Sequence, residues 1–399
     1  MSVNPEQLSV LYQFCGAGDM RGGVQDAVNT MGGYMKNAGH DIDVFIGTAD
    51  DPDQVAVNFS NFAEHQRSVL GGGNHYTSEN GSQNPLGDVV MPGFIKQAFS
   101  EVGPDLVHIQ APWMPHIGGL VLGAARRADV PAIATWHIHS EERKVNAALH
   151  ASRVINHGVI KNLAAMIAVS QPAEDHMRKT YKYDGPVHQI PNSIDVPAFA
   201  NAKPFETDKL FKGYDPGNNF IISFVGRPDP RKGLGELLQA TASLRKKQPD
   251  IQLVIGGNGP ELDEYRKLAR ELGVADIAYF LGEISNEAKA RLFASSDIAA
   301  LPAMYGESQG IVLLEAMAAG ARVVIGGDNP GYRSVLGEID ASDIVLVDPR
   351  NSGKFAKTMA AALDPTLRAN IFEQQQKLVQ KYDTAVVGQR ILDLYKSIV

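Results

Sequence analysis

The sequence predicts an α/β protein with two domains, each built on a parallel β-sheet that is covered by helices. The chain has 399 residues, which is longer than one ordinary hydrophobic core supports. Short apolar runs bounded by turn residues alternate with longer amphipathic runs, as in βαβ units with buried parallel strands. This alternation occurs in two series, and a stretch rich in Pro, Gly and charged residues at 196–218 separates them. We therefore expect domains at 1–195 and 219–382, with 196–218 as a linker.

The first series predicts six strands, and two helical patterns lie between them. The strands are 8–14, 41–47, 105–110, 131–137, 164–170 and 187–192, and the helices are 24–38 and 118–128. Residues 71–87 are rich in Gly, Asn and Ser, which predicts a mobile loop rather than a pair of strands.

The second series has the same alternation and is followed by an amphipathic helix at the C-terminus. Its predicted strands are 220–226, 251–257, 277–282, 298–303, 321–327 and 343–348. Its predicted helices are 233–247, 260–272, 286–295 and 310–319, and the C-terminal helix is 383–399.

Composition and charge narrow the class of protein. The chain is 44% hydrophobic and 21% charged, as expected for a soluble globular protein. Its net charge of −8 argues against nucleic-acid binding and gives no general attraction to anionic membranes. The single cysteine, Cys15, excludes an internal disulfide framework, and its apolar surroundings predict a packed thiol. Since no signal peptide and no apolar run of membrane-spanning length is visible, we expect a cytoplasmic protein.

The stretch YGESQGIVLLEAMAAG at 305–320 places two carboxylates in unusual positions. Glu315 lies inside a helix that is otherwise apolar on every face, and a buried carboxylate needs hydrogen-bond donors or a charged partner. Glu307 precedes the helix, whose N-terminal N–H groups at 309–312 would suit phosphate oxygens. A nucleotide sugar would satisfy all three features, with its sugar hydroxyls on Glu307 and its ribose on Glu315. The alternative is that Glu315 pairs with a remote basic residue and Glu307 is a solvated loop charge.

The stretch FVGRPDPRKGLGELLQA at 224–240 favours the nucleotide-sugar interpretation. A strand ends at Gly226, and Arg227, Arg231 and Lys232 cluster in the turn before the next helix. Cations at the carboxyl edge of a parallel sheet would neutralise a diphosphate and stabilise it as a leaving group. A solvated surface cluster is the alternative for these residues.

Together these motifs resemble the retaining glycosyltransferases of family 4, which have the GT-B fold of two Rossmann-like domains facing a cleft. The resemblance rests on GRPDPRKG at 226–233, ESQGIVLLE at 307–315, IPNSID at 190–195, RGGVQDAV at 21–28 and TWH at 135–137. It implies transfer of a hexose from a nucleotide sugar to a hydroxyl acceptor by a front-face mechanism, without an obligatory metal or another cofactor. It also implies that the C-terminal helix returns to the first domain.

Carried over by position, the resemblance implies a role for each matching residue. Arg227 and Lys232 would bind the diphosphate, Glu307 the sugar hydroxyls, and His137 the transferred sugar. Taken alone, His137 would be read as an ordinary core or edge histidine. Further donor or nucleotide contacts would come from Gly23, Gly256, Ile284, Asn286, Lys289, Ser308, Gln309, Gly310, Ile311, Val312 and Glu315. Gln25 and Trp113 would lie on the acceptor side.

The region FLGEISNEAK at 280–289 bears on the nucleotide base. A carboxylate suits the N–H donors of guanine, whereas this chain has Asn286 at the matching position with Glu287 beside it. We prefer guanine over uracil, so the expected donor is GDP-mannose, with UDP-glucose or UDP-N-acetylglucosamine as the alternative. Gln309 stands where family members usually have an aromatic residue.

The helical stretch 88–105 bears on membrane association. It corresponds to a basic amphipathic helix through which a relative binds membranes, yet it has one lysine, Lys96, against three acidic residues. Anionic lipid would repel this charge. We therefore expect its apolar residues to pack in the core, namely Met91, Phe94, Ile95 and Phe99. Peripheral association with the inner membrane face is only weakly supported.

Three other functions remain as alternatives. A GT-B nucleotide-sugar epimerase would share the two-domain cleft, and a non-catalytic sugar-nucleotide-binding protein would keep the same residues. A dinucleotide oxidoreductase is disfavoured because no G-x-G-x-x-G follows the first strand. The acceptor and the oligomeric state stay open at this point.

Overall fold

In the computed structural model, the chain divides into two units, Met1–Ser193 with Thr384–Val399, and Ile194–Asp383. The structure describes residues 6–17, 22–48, 51–62, 66–68, 75–77, 83–85, 92–110, 117–140, 157–204 and 219–399. Trp113 and the linker residues 205–218 lie outside the described residues.

The first unit contains a parallel sheet of seven strands and a separate pair of short strands. The strands are β1 (Ser9–Ala17), β2 (Asp41–Thr48), β3 (Gln66–Ser68), β4 (His75–Thr77), β5 (Gln83–Pro85), β6 (Leu106–Gln110), β7 (Ala132–Trp136), β8 (Ala165–Ala168) and β9 (Val187–Gln189). The order in the large sheet is β3-β2-β1-β6-β7-β8-β9. All six predicted strands are present.

The prediction of a loop at 71–87 is wrong, because β4 and β5 pair there as antiparallel strands with Tyr76 opposite Asn84. Residues 78–82 are not described, but their sequence contains Asn80-Gly81. This dipeptide is typical of tight hairpin turns. The Gly-rich composition of the stretch obscured that signal.

Before β9, five helices of the first unit have both ends in the described part of the chain, and residues 157–160 are also helical. The five helices are α1 (Gly23–Asn37), α2 (Pro52–Asn58), α3 (Pro92–Val102), α4 (Ile117–Arg127) and α5 (Gln171–Tyr181). Asp51 caps α2 by accepting from the N–H groups of Asp53 and Gln54 at 3.0 Å. On the other side of the sheet from α1, α3 buries Ile95 and Phe99 with Phe45 and Trp136, as predicted, and half-buried Phe94 packs on the same cluster. Met91 lies outside the described residues.

The second unit contains a parallel sheet of six strands in the order β12-β11-β10-β13-β14-β15. The strands are β10 (Phe220–Val225), β11 (Ile251–Gly256), β12 (Ala278–Gly282), β13 (Ile298–Leu301), β14 (Val323–Gly327) and β15 (Leu346–Val347). The helices are α6 (Val196–Ala200), α7 (Leu234–Arg245), α8 (Leu262–Glu271), α9 (Asn286–Ala294), α10 (Ile311–Ala318), α11 (Pro330–Leu336), α12 (Ser342–Val345), α13 (Ser352–Ala362) and α14 (Pro365–Val379). The four predicted helices of this series are all present.

Two predictions for this unit need correction. The linker expected at 196–218 begins with α6, and its described residues belong to the second unit because Val196 and Phe199 pack on the core of that unit. The strand expected at 343–348 is reduced to β15, because the chain first makes the helical turn α12 and buries Val345 from it.

The last helix, α15 (Thr384–Ile398), belongs to the first unit. Its buried side chains Val387, Ile391 and Tyr395 share a core cluster with Val28 of α1 and Tyr12 of β1. None of the described helices has the length and apolar character that a membrane span requires.

Candidate active site

Glu307 forms the centre of a buried charge cluster in the second unit. Arg231 Nη1 donates to Glu307 Oε1 at 2.6 Å, and Lys232 Nζ donates to the same oxygen at 2.8 Å. The exposed fractions of the Arg231, Lys232 and Glu307 side chains are 13%, 20% and 12%. The alternative that Glu307 is a solvated loop charge is therefore wrong.

The electrostatics of the cluster keep Glu307 ionised. Burial acts to raise the pKa of Glu307, but the charges and hydrogen bonds of Lys232 and Arg231 outweigh burial and hold that pKa below its usual value. Both cations bind Oε1, and Oε2 has no hydrogen-bond partner among the described residues. The cluster therefore presents one unused carboxylate oxygen next to two cations.

A tight turn after β10 places these two cations. Asp229 caps the 3-10 turn Pro230–Lys232 by accepting from the Lys232 N–H at 3.1 Å. Gly233 follows with φ of 73°, and a Cβ there would lie 2.2 Å from the carbonyl oxygen of Pro302. Only glycine lets the turn lie this close to the chain that leaves β13. Met304 N–H donates to the Arg231 carbonyl at 2.8 Å and joins the turn to the loop that carries Glu307.

The sequence analysis counted Arg231 in the cation cluster at 227–232, but the resemblance carried the diphosphate role over only to Arg227 and Lys232. Arg227, for which diphosphate binding was expected, bonds instead to Asp229 at 3.1 Å and is 38% exposed. The Nε atom of Arg231 is buried and has no hydrogen-bond partner among the described residues. Its position next to Lys232 was the only sequence signal for Arg231, and the sequence did not show which arginine would face Glu307.

Lys289 is the partner that the buried Glu315 required. Lys289 Nζ, on α9, donates to Glu315 Oε1, on α10, at 2.5 Å, and the two side chains are 13% and 9% exposed. The same Nζ lies 5.7 Å from the centre of the Phe199 ring. The remote-partner alternative is therefore correct for Glu315 in this structure, although both residues had been assigned to the nucleotide.

The N-terminus of α10 lies between the two glutamates in the sequence and is not capped by a side chain. Gly310 holds this end at φ of 92°, and a Cβ there would lie 2.3 Å from the ring of Tyr332. Gln309 is buried before it. The arrangement leaves the first turn, with Ile311 and Val312, without a side-chain acceptor at its end.

The structure also brings together the glycine turn after β11 and the region assigned to the base. Gly256 lies against Ile284, since a Cβ on Gly256 would be 2.5 Å from Ile284 Cδ1. Gly226, at the end of β10, donates to the Gly256 carbonyl at 3.0 Å. Asn286 is exposed at the first turn of α9, where Ser285 provides the cap.

In the first unit, His137 directly follows β7 and donates from Nε2 to Gln110 Oε1 of the β6 end at 2.6 Å. Burial lowers the pKa of His137 to about 4, although an interaction with Asn192 opposes the shift, so the imidazole is neutral near pH 7. Gly23 is exposed at the start of α1, where no side chain caps the helix, and Gln25 is buried one turn further on.

A second polar network, which the sequence analysis missed, lies beneath this strand edge. His108 bonds through Nδ1 to the Tyr395 hydroxyl at 2.5 Å and through Nε2 to Thr135 Oγ1 at 2.6 Å. Tyr395 and Tyr12 share a hydrogen bond of 2.6 Å between their hydroxyls. The partners of this network come from distant strands and from the last helix, so no local sequence signal pointed to it.

The described residues contain no group of three or more His, Cys, Asp or Glu side chains that could hold a metal ion. Of the charged residues that were assigned to the site from the sequence, the structure joins Lys232 to Glu307 and Lys289 to Glu315.

The fold and these clusters define a glycosyltransferase with the GT-B fold. The structure of a glycosyltransferase from Rickettsia africae superposes with a TM-score of 0.78 at 20% identity, covering 98% of both chains. Anabaena HepE, solved in complex with UDP and glucose, gives a TM-score of 0.72 at 17% identity and covers 98% of this chain and 100% of its own. These likenesses establish the fold.

The chain belongs to glycosyltransferase family 4. The model for glycosyltransferase family 4 matches residues 21–197, and the model for glycosyl transferases group 1 matches residues 206–379. The phosphatidyl-myo-inositol mannosyltransferase of Mycolicibacterium smegmatis is 33% identical over 387 residues, which is 95% of this chain and 91% of the relative. The enzyme of that name from Propionibacterium freudenreichii is 30% identical and covers 94% of this chain and 91% of its own. The protein is thus a hexosyltransferase.

Proposed function

We propose that the protein transfers mannose from GDP-mannose to a hydroxyl group of an acceptor, with retention of configuration. The observation that carries this proposal is Glu307, held ionised by Arg231 and Lys232 eight residues before a second buried carboxylate, Glu315. The similarity to enzymes named phosphatidyl-myo-inositol mannosyltransferase supports mannose as the sugar and a polyol, glycolipid or glycan as the acceptor.

In the proposed chemistry, the bond between the anomeric carbon and the diphosphate oxygen breaks while the acceptor oxygen bonds to that carbon on the same face. The acceptor proton passes to the departing diphosphate. Arg231 and Lys232 lie on the same carboxylate oxygen, so a diphosphate can share or replace Glu307 as their counter-ion. The uncapped end of α10 adds N–H groups for the phosphate oxygens.

The carboxylates recognise hydroxyl groups in this scheme. Glu307 Oε2 accepts a hydrogen bond from the sugar while Oε1 stays on the two cations. Glu315 accepts from the ribose, and Lys289 holds it in place until the nucleotide binds. Gly256 and Ile284 form the wall beside the base, with Asn286 at its edge.

In the first unit, His137 contacts the transferred sugar as a neutral imidazole, and Gln25 and Trp113 contact the acceptor. A neutral ring suits hydrogen bonding to hydroxyl groups, and the depressed pKa of His137 keeps it neutral at pH 7. Gly23 begins the uncapped helix α1, where a phosphate would approach its backbone N–H without a Cβ in the way.

The second candidate is a UDP-sugar-dependent transferase of the same family. The observation that favours it is Asn286, an exposed amide at the place where a carboxylate would suit guanine. The solved neighbour HepE carries UDP in its complex, which shows that this fold accommodates a uracil nucleotide.

Calorimetric titration of the purified protein with GDP, UDP and ADP tests the donor. We expect GDP to bind most tightly, and we expect Lys232→Ala to weaken GDP binding.

A transfer assay with GDP-mannose and myo-inositol, in the presence and absence of EDTA, then tests the reaction. Transfer should not depend on a divalent metal because the protein itself supplies the cations. Preference for UDP would replace mannose by glucose or N-acetylglucosamine, and turnover of the nucleotide sugar without an acceptor would indicate an epimerase.

A further inference from the structure

A small cavity in the first unit lies between α1, α15 and the carboxyl ends of β6 and β7. Its volume is about 40 Å³, and a site of 10 to 15 Å³ already accommodates the centre of one water molecule. Its polar lining is Tyr12, His108, Gln110, Thr135, His137, Asn192 and Ser193. None of the described residues that line it is Asp, Glu, Lys or Arg. The cavity therefore suits a small neutral polar group and not a phosphate or a cation.

Three of the lining side chains and Tyr395, which does not itself line the cavity, form one continuous hydrogen-bonded chain. It runs from Tyr12 to Tyr395, from Tyr395 to His108 Nδ1, and from His108 Nε2 to Thr135, over distances of 2.6, 2.5 and 2.6 Å. All four side chains are buried. None of the four makes another side-chain hydrogen bond among the described residues.

The protons of this chain can be counted. Burial, with a smaller contribution from His137, lowers the pKa of His108 to about 3, so the ring is neutral and carries one N–H. Three hydroxyls and one N–H supply four protons for three hydrogen bonds. One O–H is therefore left over whichever tautomer His108 adopts.

The tautomer decides which hydroxyl keeps the spare proton. With the proton on Nδ1, His108 donates to Tyr395. Tyr395 then donates to Tyr12 rather than accepting from it, because the fully buried Tyr395 O–H does not line the cavity and would otherwise have no acceptor among the described residues; the Tyr12 O–H is therefore spare. With the proton on Nε2, His108 donates to Thr135 and the Thr135 O–H is spare. Tyr12 and Thr135 both line the cavity. The cavity is therefore bordered by one unused O–H donor in either state.

The same cavity is bordered by an unused acceptor. Gln110 Oε1 can only accept, so the bond of 2.6 Å requires that His137 Nε2 carries the proton. His137 Nδ1 then has a lone pair. The Asn192 side chain interacts with the ring and opposes the fall of its pKa, but no contact to this buried nitrogen has the distance and angle of a hydrogen bond among the described residues, so the lone pair is left for a ligand. A hydroxyl group, which both donates and accepts, matches this pair of requirements.

We propose that this cavity is a subsite for one hydroxyl group of a neutral polyol. The identification of that polyol as the acceptor rests on the proposed function. Tyr12 or Thr135 donates to the hydroxyl oxygen, and His137 accepts from the hydroxyl proton. His108 and Tyr395 are positioning residues, because they direct the spare O–H. Partly exposed His137 and Pro191 mark the side from which a ligand enters. Water offers the same chemistry and is the competing occupant.

The first test reads the His108 tautomer by nitrogen NMR of the imidazole rings. Tyr12→Phe leaves Tyr395 only Nδ1 as an acceptor, so the ring proton moves to Nε2. Thr135→Val leaves an apolar group beside Nε2, so the ring proton moves to Nδ1. We expect opposite tautomers in the two variants, with the fold checked by circular dichroism. The same tautomer in both variants would overturn the proton-directing role of the chain.

The second test is a titration with free myo-inositol, without donor or turnover, followed by the ring signals of His108 and His137. We expect saturable shifts in the unmodified protein. Each single variant keeps one O–H donor at the cavity and should bind within about threefold of it, whereas the double variant loses both and should bind at least about tenfold more weakly. The control Tyr34→Phe removes a hydroxyl that faces Gln389 at the surface and should bind normally.

The outcomes separate this proposal from the proposed function. Ring signals that do not move at any myo-inositol concentration would mean that only water occupies the cavity and would overturn the subsite. Equal binding by the double variant and the unmodified protein would also overturn it. Inositol binding without transfer from GDP-mannose would leave the subsite standing and would count against the proposed donor alone.

Discussion

At the scale of single residues, Lys232 and Arg231 place two positive charges on one carboxylate oxygen. A buried pair of this kind is weak support for stability, since removing two charges from water offsets most of their attraction. A ligand that binds the two cations explains better than stability why three charged side chains are buried together here. Backbone contacts hold the turn at 230–233 against the loop that carries Glu307, and these contacts do not depend on the ion pairs. The charged groups can therefore exchange partners without unfolding of the turn or the loop.

Lys232→Ala should lower transfer from the nucleotide sugar by at least about a hundredfold, because one of the two cations that stabilise the leaving diphosphate is lost. The fold should survive, since Arg231 still neutralises Glu307. The measurement is the steady-state rate of transfer. Lys247→Ala, which removes an exposed lysine just beyond α7, is the matched control. Near-normal transfer by Lys232→Ala would remove Lys232 from the active site.

The buried His108 makes a prediction about pH. Its pKa falls from 6.5 in the unfolded chain to about 3 in the fold, so the unfolded state binds the proton more readily. Stability is fully present above pH 6.5 and is lost as pH falls toward 3. At pH 5 this one histidine should already have removed about 2 kcal/mol of unfolding free energy.

Urea unfolding between pH 7 and pH 5, followed by tryptophan fluorescence, measures this loss. Both tryptophans, Trp113 and Trp136, lie in the first unit, so the signal reports on that unit. His108→Asn should start less stable and lose less stability on acidification. The exposed His188→Asn should keep the full pH dependence. An unchanged slope in His108→Asn would contradict the assignment.

The sequence showed which single residues need a polar or charged partner, but it did not show which residues supply those partners. The apolar helix showed that Glu315 needed a partner, because its own helix offers none within a turn. It could not show that Lys289 supplies it from 26 residues away. Likewise, His108 and Tyr395 are 287 residues apart, and only the folded sheet and the returning helix bring them together.

At the scale of elements, α10 depends on the glycine at its start. Gly310 and Gly320 have nearly the same φ, 92° and 90°, but a Cβ on Gly310 would meet Tyr332 at 2.3 Å, whereas a Cβ on Gly320 would meet nothing within 4 Å. Gly320→Ala therefore isolates the cost of the left-handed backbone, about 1 to 2 kcal/mol. Gly310→Ala should cost about 1 to 3 kcal/mol more because of the clash.

Urea unfolding of the two variants, followed by far-ultraviolet circular dichroism, measures that difference. Gly310→Ala should also weaken nucleotide binding, since the displaced helix start is the proposed phosphate site, whereas Gly320→Ala should bind normally. Equal destabilisation of the two variants would show that Tyr332 moves aside freely.

Helix α3 makes a prediction about membranes. Its apolar residues Ile95 and Phe99 are buried, and its exposed face carries Lys96, Gln97 and Glu101. Without a basic face or a free apolar face, α3 gives no attraction to anionic lipid. The protein should therefore stay in the supernatant when it is sedimented with anionic vesicles, and Gln97→Lys/Glu101→Lys should increase the bound fraction. Sedimentation of the unmodified protein with vesicles would contradict this reading of α3.

Strands and helices could be predicted wherever the spacing of apolar residues along the sequence matches their burial in the structure. The buried strands of both sheets are short apolar runs, so their existence followed from the sequence. The hairpin of β4 and β5 did not, because its strands are three residues each and polar. α6 was read as linker because Pro197 and the charged residues after it hid the two apolar residues that anchor it, Val196 and Phe199.

At the scale of the whole molecule, the two units do not follow one another along the chain, because the second is inserted into the first. The second unit is one continuous segment, Ile194–Asp383, whereas the first is completed only by the last sixteen residues, Thr384–Val399. The repeated alternation of strands and helices predicted two sheets. The return of the last helix was expected from the resemblance to the family, because an amphipathic helix does not reveal which core covers its apolar face.

Deleting residues 384–399 should therefore affect the two units differently. The deletion removes Val387, Ile391 and Tyr395 from the core of the first unit and leaves its cluster around Tyr12 open to water. Loss of several buried large side chains exceeds the stability of a typical domain of this size. Tryptophan emission, which reports on the first unit only, should shift to the wavelength of an exposed indole. The second unit keeps its whole core and every residue of the Glu307 and Glu315 clusters, so the shortened chain should still bind GDP in the calorimeter. Native tryptophan emission after the deletion would show that α15 is dispensable for the first unit. Loss of both the native emission and GDP binding would show that nucleotide binding requires an intact first unit.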